Sequence, residues 1–349
     1  MESLLGIIFH SIGGFSSGSF YMPFKKVKNW AWESYWLVGG FFSWLIVPPI
    51  AAYLTIPNFV EIIGAASPTI KAFTFSMGLI WGIGGLTYGL GVRYLGMSLG
   101  NSIVLGFCSA FGALVPSIYY NFYPTEGKIS FTDMLQSAGG QLVLLGVAVC
   151  LIGIAISGKA GILKERDFAV GHENKDKDFN LTKGLIIAVI SGILSSFFNY
   201  GIEAGKPMAE AAVVSGCNPL FQNNVTYIVL LWGGLTTNFI WCMYLNFKNK
   251  TFGDYTNKQS PITKNILFSA LAGTMWFLQF FFYGMGESKL GNGASSWILH
   301  MATIILTANF WGFYLKEWSG VSKKTFNTFL WGIGLIMLSI VLVGIGNSL

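Results

Sequence analysis

The sequence predicts an all-α polytopic membrane protein whose ten transmembrane helices form two inverted repeats of five. Three observations predict it. The first is composition: 53% of the 349 residues are hydrophobic, 16% aromatic and only 10% charged, with a mean hydropathy of +0.59. Soluble domains carry roughly 25% charged residues, so this chain lacks the polar surface to dissolve. The second is that apolar runs of ~20 residues, the length that crosses a bilayer, recur along the chain. The third is an internal echo. Trp81–Gly96 (WGIGGLTYGLGVRYLG) and Trp276–Gly291 (WFLQFFFYGMGESKLG) agree at six of sixteen positions at one offset of 195 residues. The matches are Trp81/Trp276, Tyr88/Tyr283, Gly89/Gly284, Gly91/Gly286, Leu95/Leu290 and Gly96/Gly291. Glycine matches come cheaply in a glycine-rich chain; a Trp and a Tyr kept seven apart in both copies do not.

Ten spans read as 4–23, 33–54, 70–92, 98–120, 138–158, 183–203, 220–246, 264–286, 295–316 and 325–347. Their connections are short except for 159–182, KAGILKERDFAVGHENKDKDFNLT, the longest polar run. It separates a first five-helix repeat, 1–158, from a second, 183–349. Five crossings leave the second copy starting from the opposite side, which makes the repeat inverted. A second echo, Gly146, Ile154 and Gly158 against Gly332, Ile340 and Gly344, links spans 5 and 10. Two copies of one unit in so apolar a chain is the pattern of membrane carriers built from internal repeats.

Lys and Arg set the orientation. Of the 21, only Lys71, Lys128, Lys206 and Lys289 fall in one set of connections. The others follow spans 1, 3, 7 and 9 or flank 159–182. Positive charge stays inside, which places 159–182 in the cytoplasm and both termini outside. The start, MESLLGIIFH, has an acid and no basic residue before its apolar run, so span 1 is expected to stay rather than be cleaved as a signal peptide. The net charge of +6 is scattered over short loops, and no nucleic-acid partner is expected. Cys108, Cys150, Cys217 and Cys242 lack paired spacing, so neither a metal site, a disulfide framework nor a cofactor is expected.

Polar side chains are scarce, which makes those inside the spans informative. Span 1 ends with Ser16, Ser17, Ser19 and Tyr21, hydroxyls suited to a polar ligand or to close helix packing, before Pro23 stops it. Lys25, Lys26 and Lys28 with Trp30 and Trp32 read as an interfacial anchor. Span 3 carries Trp81 and Tyr88. Span 8 carries Trp276, Gln279 and Tyr283, whose i, i+3, i+7 spacing puts an indole, an amide and a phenol on one stripe. An indole face suits the C–H face of a sugar, and an amide both donates to and accepts from hydroxyls. Gln279 has Gly84 at the equivalent place in the first copy, so the chemistry is one-sided. Asn101 and Ser102 open span 4, Asn199 lies in span 6, and Asn223 opens span 7. Such amides serve polyhydroxyl recognition or hydrogen bonds between helices.

The ionisable groups expected inside the spans are His10, His300 and, at the end of span 6, Glu203. Histidine titrates near ~6.5, which suits a proton carrier; packing histidines and a solvated carboxylate are the alternatives. No H-E-x-x-H, G-x-S-x-G or clustered carboxylates occur, so an enzyme is not expected. A channel would need a repeated filter ring, which a two-fold repeat does not offer.

The stretches FYMPFKKVKNWAWE (20–33), WGIGGLTYGLGVRYLGMSLG (81–100), KPM (206–208), WFLQFFFYGMG (276–286), SWILHM (296–301) and KEW (316–318) resemble the bacterial L-rhamnose–proton symporters. These belong to the drug/metabolite transporter superfamily of five-plus-five inverted repeats. The resemblance runs from span 1 to span 10. It implies an inner-membrane carrier that brings in L-rhamnose, or a related deoxy-sugar, with a proton. The matching positions are Tyr21, Lys25, Lys26, Trp81, Tyr88, Lys206, Gln279, Tyr283, Trp297 and His300. The chain departs from the family's wording at Asn101–Val104, at Asn199–Glu203 and at the turn 287–295. Those departures leave another sugar or metabolite, sodium coupling or export as alternatives on the same scaffold.

Overall fold

The computed structural model describes residues 2–124, 130–171, 179–290, 293–346 and 349, and among them every regular element is helical. In chain order these are α1 (Glu2–Ser19), the single turn α2 (Tyr21–Phe24), α3 (Trp32–Gly40), a π-helical turn (Phe41–Ile46) and α4 (Val47–Thr55). Then come α5 (Phe59–Ala65), α6 (Pro68–Leu95), α7 (Met97–Phe122), α8 (Phe131–Gln136), α9 (Ala138–Gly171), α10 (Leu181–Ser195) and α11 (Phe197–Val214). The chain ends with α12 (Asn224–Asn249), α13 (Ile262–Leu290), α14 (Gly293–Tyr314) and α15 (Lys323–Gly346). Short 3-10 turns precede and follow α12. Eight stretches among the described residues are long and apolar enough to cross a membrane, so this is a polytopic membrane protein.

The other two expected spans, 4–23 and 295–316, are helices but not among the eight. Serines, glycines and His10 dilute α1, and His300, Asn309 and several Ser and Thr dilute α14. Residues 159–171, expected in a polar linker, instead continue α9. Ala, Ile, Leu, Lys, Glu and Arg there are mostly good helix formers, with no proline to stop them. Similarly α11 runs through Pro207 to Val214, beyond the expected end at 203. Lys128, Lys175, Lys177 and Gly291 lie outside the described residues.

Two compact units emerge, and they are not the two halves of the sequence. Unit one joins Met1–Gly85 to Phe197–Lys289; unit two joins Leu86–Ser196 to Leu290–Leu349. The chain passes from one to the other inside α6, at the break between α10 and α11, and at the last residue of α13.

In unit one, α12 packs against α3, the π-helical turn, α4 and α11. Glycines set its approach to α6: a Cβ at Gly82 would lie 2.8 Å from the Gly234 carbonyl oxygen. Asn238 satisfies this dry contact. It accepts from the Trp36 indole at 2.8 Å and donates to the carbonyls of Gly82 and Gly234. Acids hold the start of α3. Asp254 accepts from the Ala31 N–H and the Ser34 hydroxyl, both at 2.7 Å, and the buried Glu33 accepts from Asn249 and Thr251. Asp254 thereby serves a backbone N–H that the helix start leaves unpaired, and Glu33 ties α3 to the end of α12 and the turn after it. Trp30, expected as an interfacial anchor, is buried with its ring edge-on to Tyr255 at 5.6 Å.

In unit two, α9 and α15 lie along each other. Gly139, Gly146 and Gly153 recur every seven residues on α9 and face Gly346, Ser339 and Gly332 of α15. Small residues at that period let two backbones touch without hydrocarbon between them. Helix α7 packs on α9, α10 and α14. Its start follows Gly96, whose φ of +85° favours glycine and permits a one-residue reversal from α6. Glu317 caps that start, accepting from the N–H groups of Met97 at 2.8 Å and Ser98 at 3.0 Å. Next to it, the ammonium of buried Lys164 sits over the rings of Trp318 at 4.9 Å, Phe179 at 5.1 Å and Phe168 at 5.5 Å. A lysine read from sequence as a loop charge is thus held in an aromatic box. At α8, the hydroxyl and N–H of Ser130 hold the exposed Asp133 carboxyl below the usual carboxylate range in a capping box.

Candidate substrate and coupling site

Helix α13 begins right after Pro261, which cannot extend a preceding helix and presets the first turn. From there its 29 residues carry Trp276, Gln279 and Tyr283 along one stripe. All three are buried: Trp276 8% exposed, Gln279 6% and Tyr283 1%. The stripe meets an aromatic cluster in unit one. Phe20 stands edge-on to Trp276 with ring centres 4.0 Å apart, and Trp36 edge-on at 5.7 Å. Trp81 is buried against Phe198 at 5.0 Å, Phe280 at 5.8 Å and Trp44 at 6.2 Å. Tyr21, half-buried in α2, accepts from the Trp32 indole N–H at 3.4 Å. Asn199 is half-buried on α11.

Farther along α13 the helix thins to glycine and polar groups gather. A Cβ at Gly284 would meet the Tyr227 hydroxyl at 3.1 Å, so glycine lets α12 come close. Gly286 does the same for the His10 ring, which also stands edge-on to Tyr283 at 5.5 Å. One residue on, the Glu287 carboxylate accepts a hydrogen bond from the Asn223 side-chain amide at 3.0 Å. Glu203 and Lys206 of α11 bear on the same carboxylate electrostatically. Glu203 itself is exposed.

The remaining expected residues are in unit two. Tyr88 donates its hydroxyl to the Asn101 side-chain carbonyl, and the Asn101 amide donates to the Met97 carbonyl. His300 is 2% exposed on α14, and its carbonyl accepts from the Thr303 hydroxyl. Trp297 is also buried, with its indole nitrogen 3.1 Å from where a Cβ at Gly112 would stand. A cavity of about 350 Å³ opens in unit one among Asn58, Glu61, Ile62, Pro207 and Met208, and none of the expected residues lines it. Around Trp81 and Trp276 the nearest rings are those of Phe20, Trp36, Trp44, Phe198 and Phe280.

The family model of the L-rhamnose-proton symport protein matches residues 2–348. The chain belongs to the L-rhamnose-proton symport family. Curated members named L-rhamnose-proton symporter from Yersinia pestis (strain Pestoides F) and Yersinia pseudotuberculosis serotype O:1b (strain IP 31758) are 41% identical over 350 residues. The match covers 99% of this chain and 98% of each relative. The corresponding protein of Yersinia pestis bv. Antiqua (strain Antiqua) is 40% identical over the same span. This is a transporter family, not an enzyme family.

Within this symport-family chain, sequence reasoning missed Trp36, Phe198, Tyr227, Phe280 and Glu287. A signal for the last was present. Trp276, Gln279, Tyr283 and Glu287 are spaced three, four and four, one continuous stripe. The expected end of span 8 at 286 hid it, because α13 continues to Leu290.

Proposed function

We propose that the protein is a secondary active carrier that moves L-rhamnose, or a related deoxy-sugar, inward with a proton across the bacterial inner membrane. The observation that carries this reading is full-length similarity, 99% of this chain, to proteins named L-rhamnose-proton symporter. The ten helices form two inverted five-helix repeats, 1–158 and 183–349, with 159–182 cytoplasmic and both termini outside. The excess of Lys and Arg on one set of connections and the Trp81–Gly96 echo support that arrangement. In unit one, sugar is bound by Trp276, Gln279, Tyr283, Trp81, Tyr21, Asn199 and Asn223, a set that combines ring faces with amides able to donate and accept. Tyr88, Asn101 and Trp297, in unit two, are further substrate-binding candidates. His10, His300 and Glu203 are the candidates that the sequence offers for the group that takes up the proton.

Reconstituted into proteoliposomes, the protein should accumulate labelled L-rhamnose when the outside is acidified. One pH unit sets a ceiling of about tenfold for one proton per sugar. Accumulation that follows a sodium gradient and ignores pH would reject the proton assignment. Gln279→Ala removes a buried amide without adding bulk. Losing one hydrogen bond to bound sugar costs ~0.5–1.5 kcal/mol, more if its partner stays buried. Rhamnose affinity, measured by calorimetry, should therefore fall several-fold to about tenfold. Unchanged affinity would make Gln279 a packing residue.

A further inference from the structure

We propose that Glu287 is the group that carries the coupled proton, with the Asn223 amide turning over to hold either protonation state. This rests on the proton-symport reading above and names its titrating group. Among the described residues, five carboxylates are buried or half-buried: Glu33, Asp167, Asp254, Glu287 and Glu317. Three of them are committed to helix starts. Glu317 accepts from two backbone N–H groups, Asp254 from the Ala31 N–H, and Asp167 from the Ser322 N–H with the Thr325 hydroxyl. A backbone N–H only donates, so protonating those three acids would forfeit the bond and the cap. Glu33, in the first turn of α3, accepts from the Asn249 amide and the Thr251 hydroxyl and lies on a different helix from the Trp276, Gln279 and Tyr283 stripe.

Glu287 lies on that stripe, on α13 itself. Its hydrogen-bonding partner is a side-chain amide, Asn223 Nδ2 at 3.0 Å, and the phenols of Tyr227 and Tyr283 lie within electrostatic range. An amide that turns over presents its carbonyl instead of its N–H, and a hydroxyl can donate or accept. Each neighbour therefore has a bonding arrangement for the charged acid and another for the neutral acid. The charged or titratable groups around it are Glu203 and Lys206 from α11, Tyr227 from α12, Tyr283 on its own helix, and His10 from α1 against Gly286. The first repeat has Val92 at the corresponding place, so this chemistry, like Gln279, exists in one copy only.

The cycle balances simply. A proton from outside water bonds to a Glu287 carboxylate oxygen, and the Asn223 amide turns so that its carbonyl accepts the new O–H. The sugar binds to this neutral pocket. On the inner side the O–H breaks, the proton leaves to water, and the carboxylate reclaims the Asn223 N–H. By linkage, a proton that favours sugar binding is itself favoured by bound sugar. Rhamnose affinity should fall as pH rises.

The test uses full-length protein in proteoliposomes with L-rhamnose as the probe. Glu287→Gln keeps the Asn223 contact but cannot titrate. It should exchange labelled for unlabelled rhamnose yet lose accumulation, the inside-to-outside ratio dropping to about one, and its affinity should no longer change with pH. Glu287→Asp, which still titrates, should keep some accumulation, and Glu210→Gln, an exposed acid on α11, should behave as wild type. An E287Q protein that accumulates sugar with wild-type pH dependence overturns the assignment, as does loss of that dependence in His300→Gln or His10→Gln while E287Q retains it. If E287Q does not fold, infrared difference spectra of the wild type decide: rhamnose binding should produce a protonated carboxylic C=O band, and its absence overturns the assignment. A wild type that ignores the pH gradient would instead defeat the symport reading itself.

Discussion

Gly153→Val should leave little folded protein in the membrane. At Gly153 a Cβ would stand 2.9 Å from the Gly332 carbonyl oxygen and equally close to the Ile336 nitrogen. Both are backbone atoms of α15 and cannot rotate away as a side-chain tip would. The helices must part. Parting them undoes the contacts at Gly146 and Gly139 in the same seven-residue series, because α9 and α15 pack along much of their length. Overpacking costs typically 1–3 kcal/mol at one core site, and a displaced helix pair multiplies it. Fluorescence-detected size exclusion should show a collapsed yield and an early melt. Gly334→Val on the same α15, where nothing lies within 4 Å of the new Cβ, should melt near wild type. Equal behaviour of the two variants would show that the α9–α15 contact is not what holds unit two.

Trp276→Ala and Trp276→Phe should separate packing from recognition. The indole is 8% exposed, edge to Phe20 and Trp36, and truncating a buried Trp to Ala costs roughly 3–5 kcal/mol. The alanine variant should therefore melt many degrees lower in detergent. Phenylalanine restores an apolar ring and most of the stability. If the indole also stacks on the sugar, Trp276→Phe should bind rhamnose several-fold more weakly while melting near wild type. Wild-type affinity in the phenylalanine variant would assign Trp276 to the aromatic core alone.

The membrane class was legible because hydropathy over ~20 residues reports directly on what a bilayer tolerates. Helix ends were less so, since the same signal fades where polar residues begin although helix propensity does not. That is why residues 159–171 read as linker yet extend α9, and why Glu287 was placed in a turn when it lies on the stripe of Trp276 and Gln279. Stripe partners on α13 could be read from spacing. Their partners from the start of α2 and from α3, α11 and α12 could not, because Phe20, Trp36, Phe198 and Tyr227 meet that helix only through the fold. Lys164 shows the same limit: charge counting sees a cation and misses Trp318, which lies far along the chain.

The carboxylate caps change how this protein can be handled. Asp254 and Glu317 sit in connections that look dispensable, yet each fastens a helix start 220 residues earlier in the chain. A tag or cleavage site spliced in beside either acid would shift its carboxylate and leave N–H donors at the start of α3 or α7 unpaired, helices nowhere near the insertion in sequence. Such a fusion would be lost to quality control for reasons its designer could not trace to the loop. Orientation probes therefore belong on single exposed neighbours, a cysteine at Lys258 or Lys324, where a side chain is exchanged and the connection keeps its length.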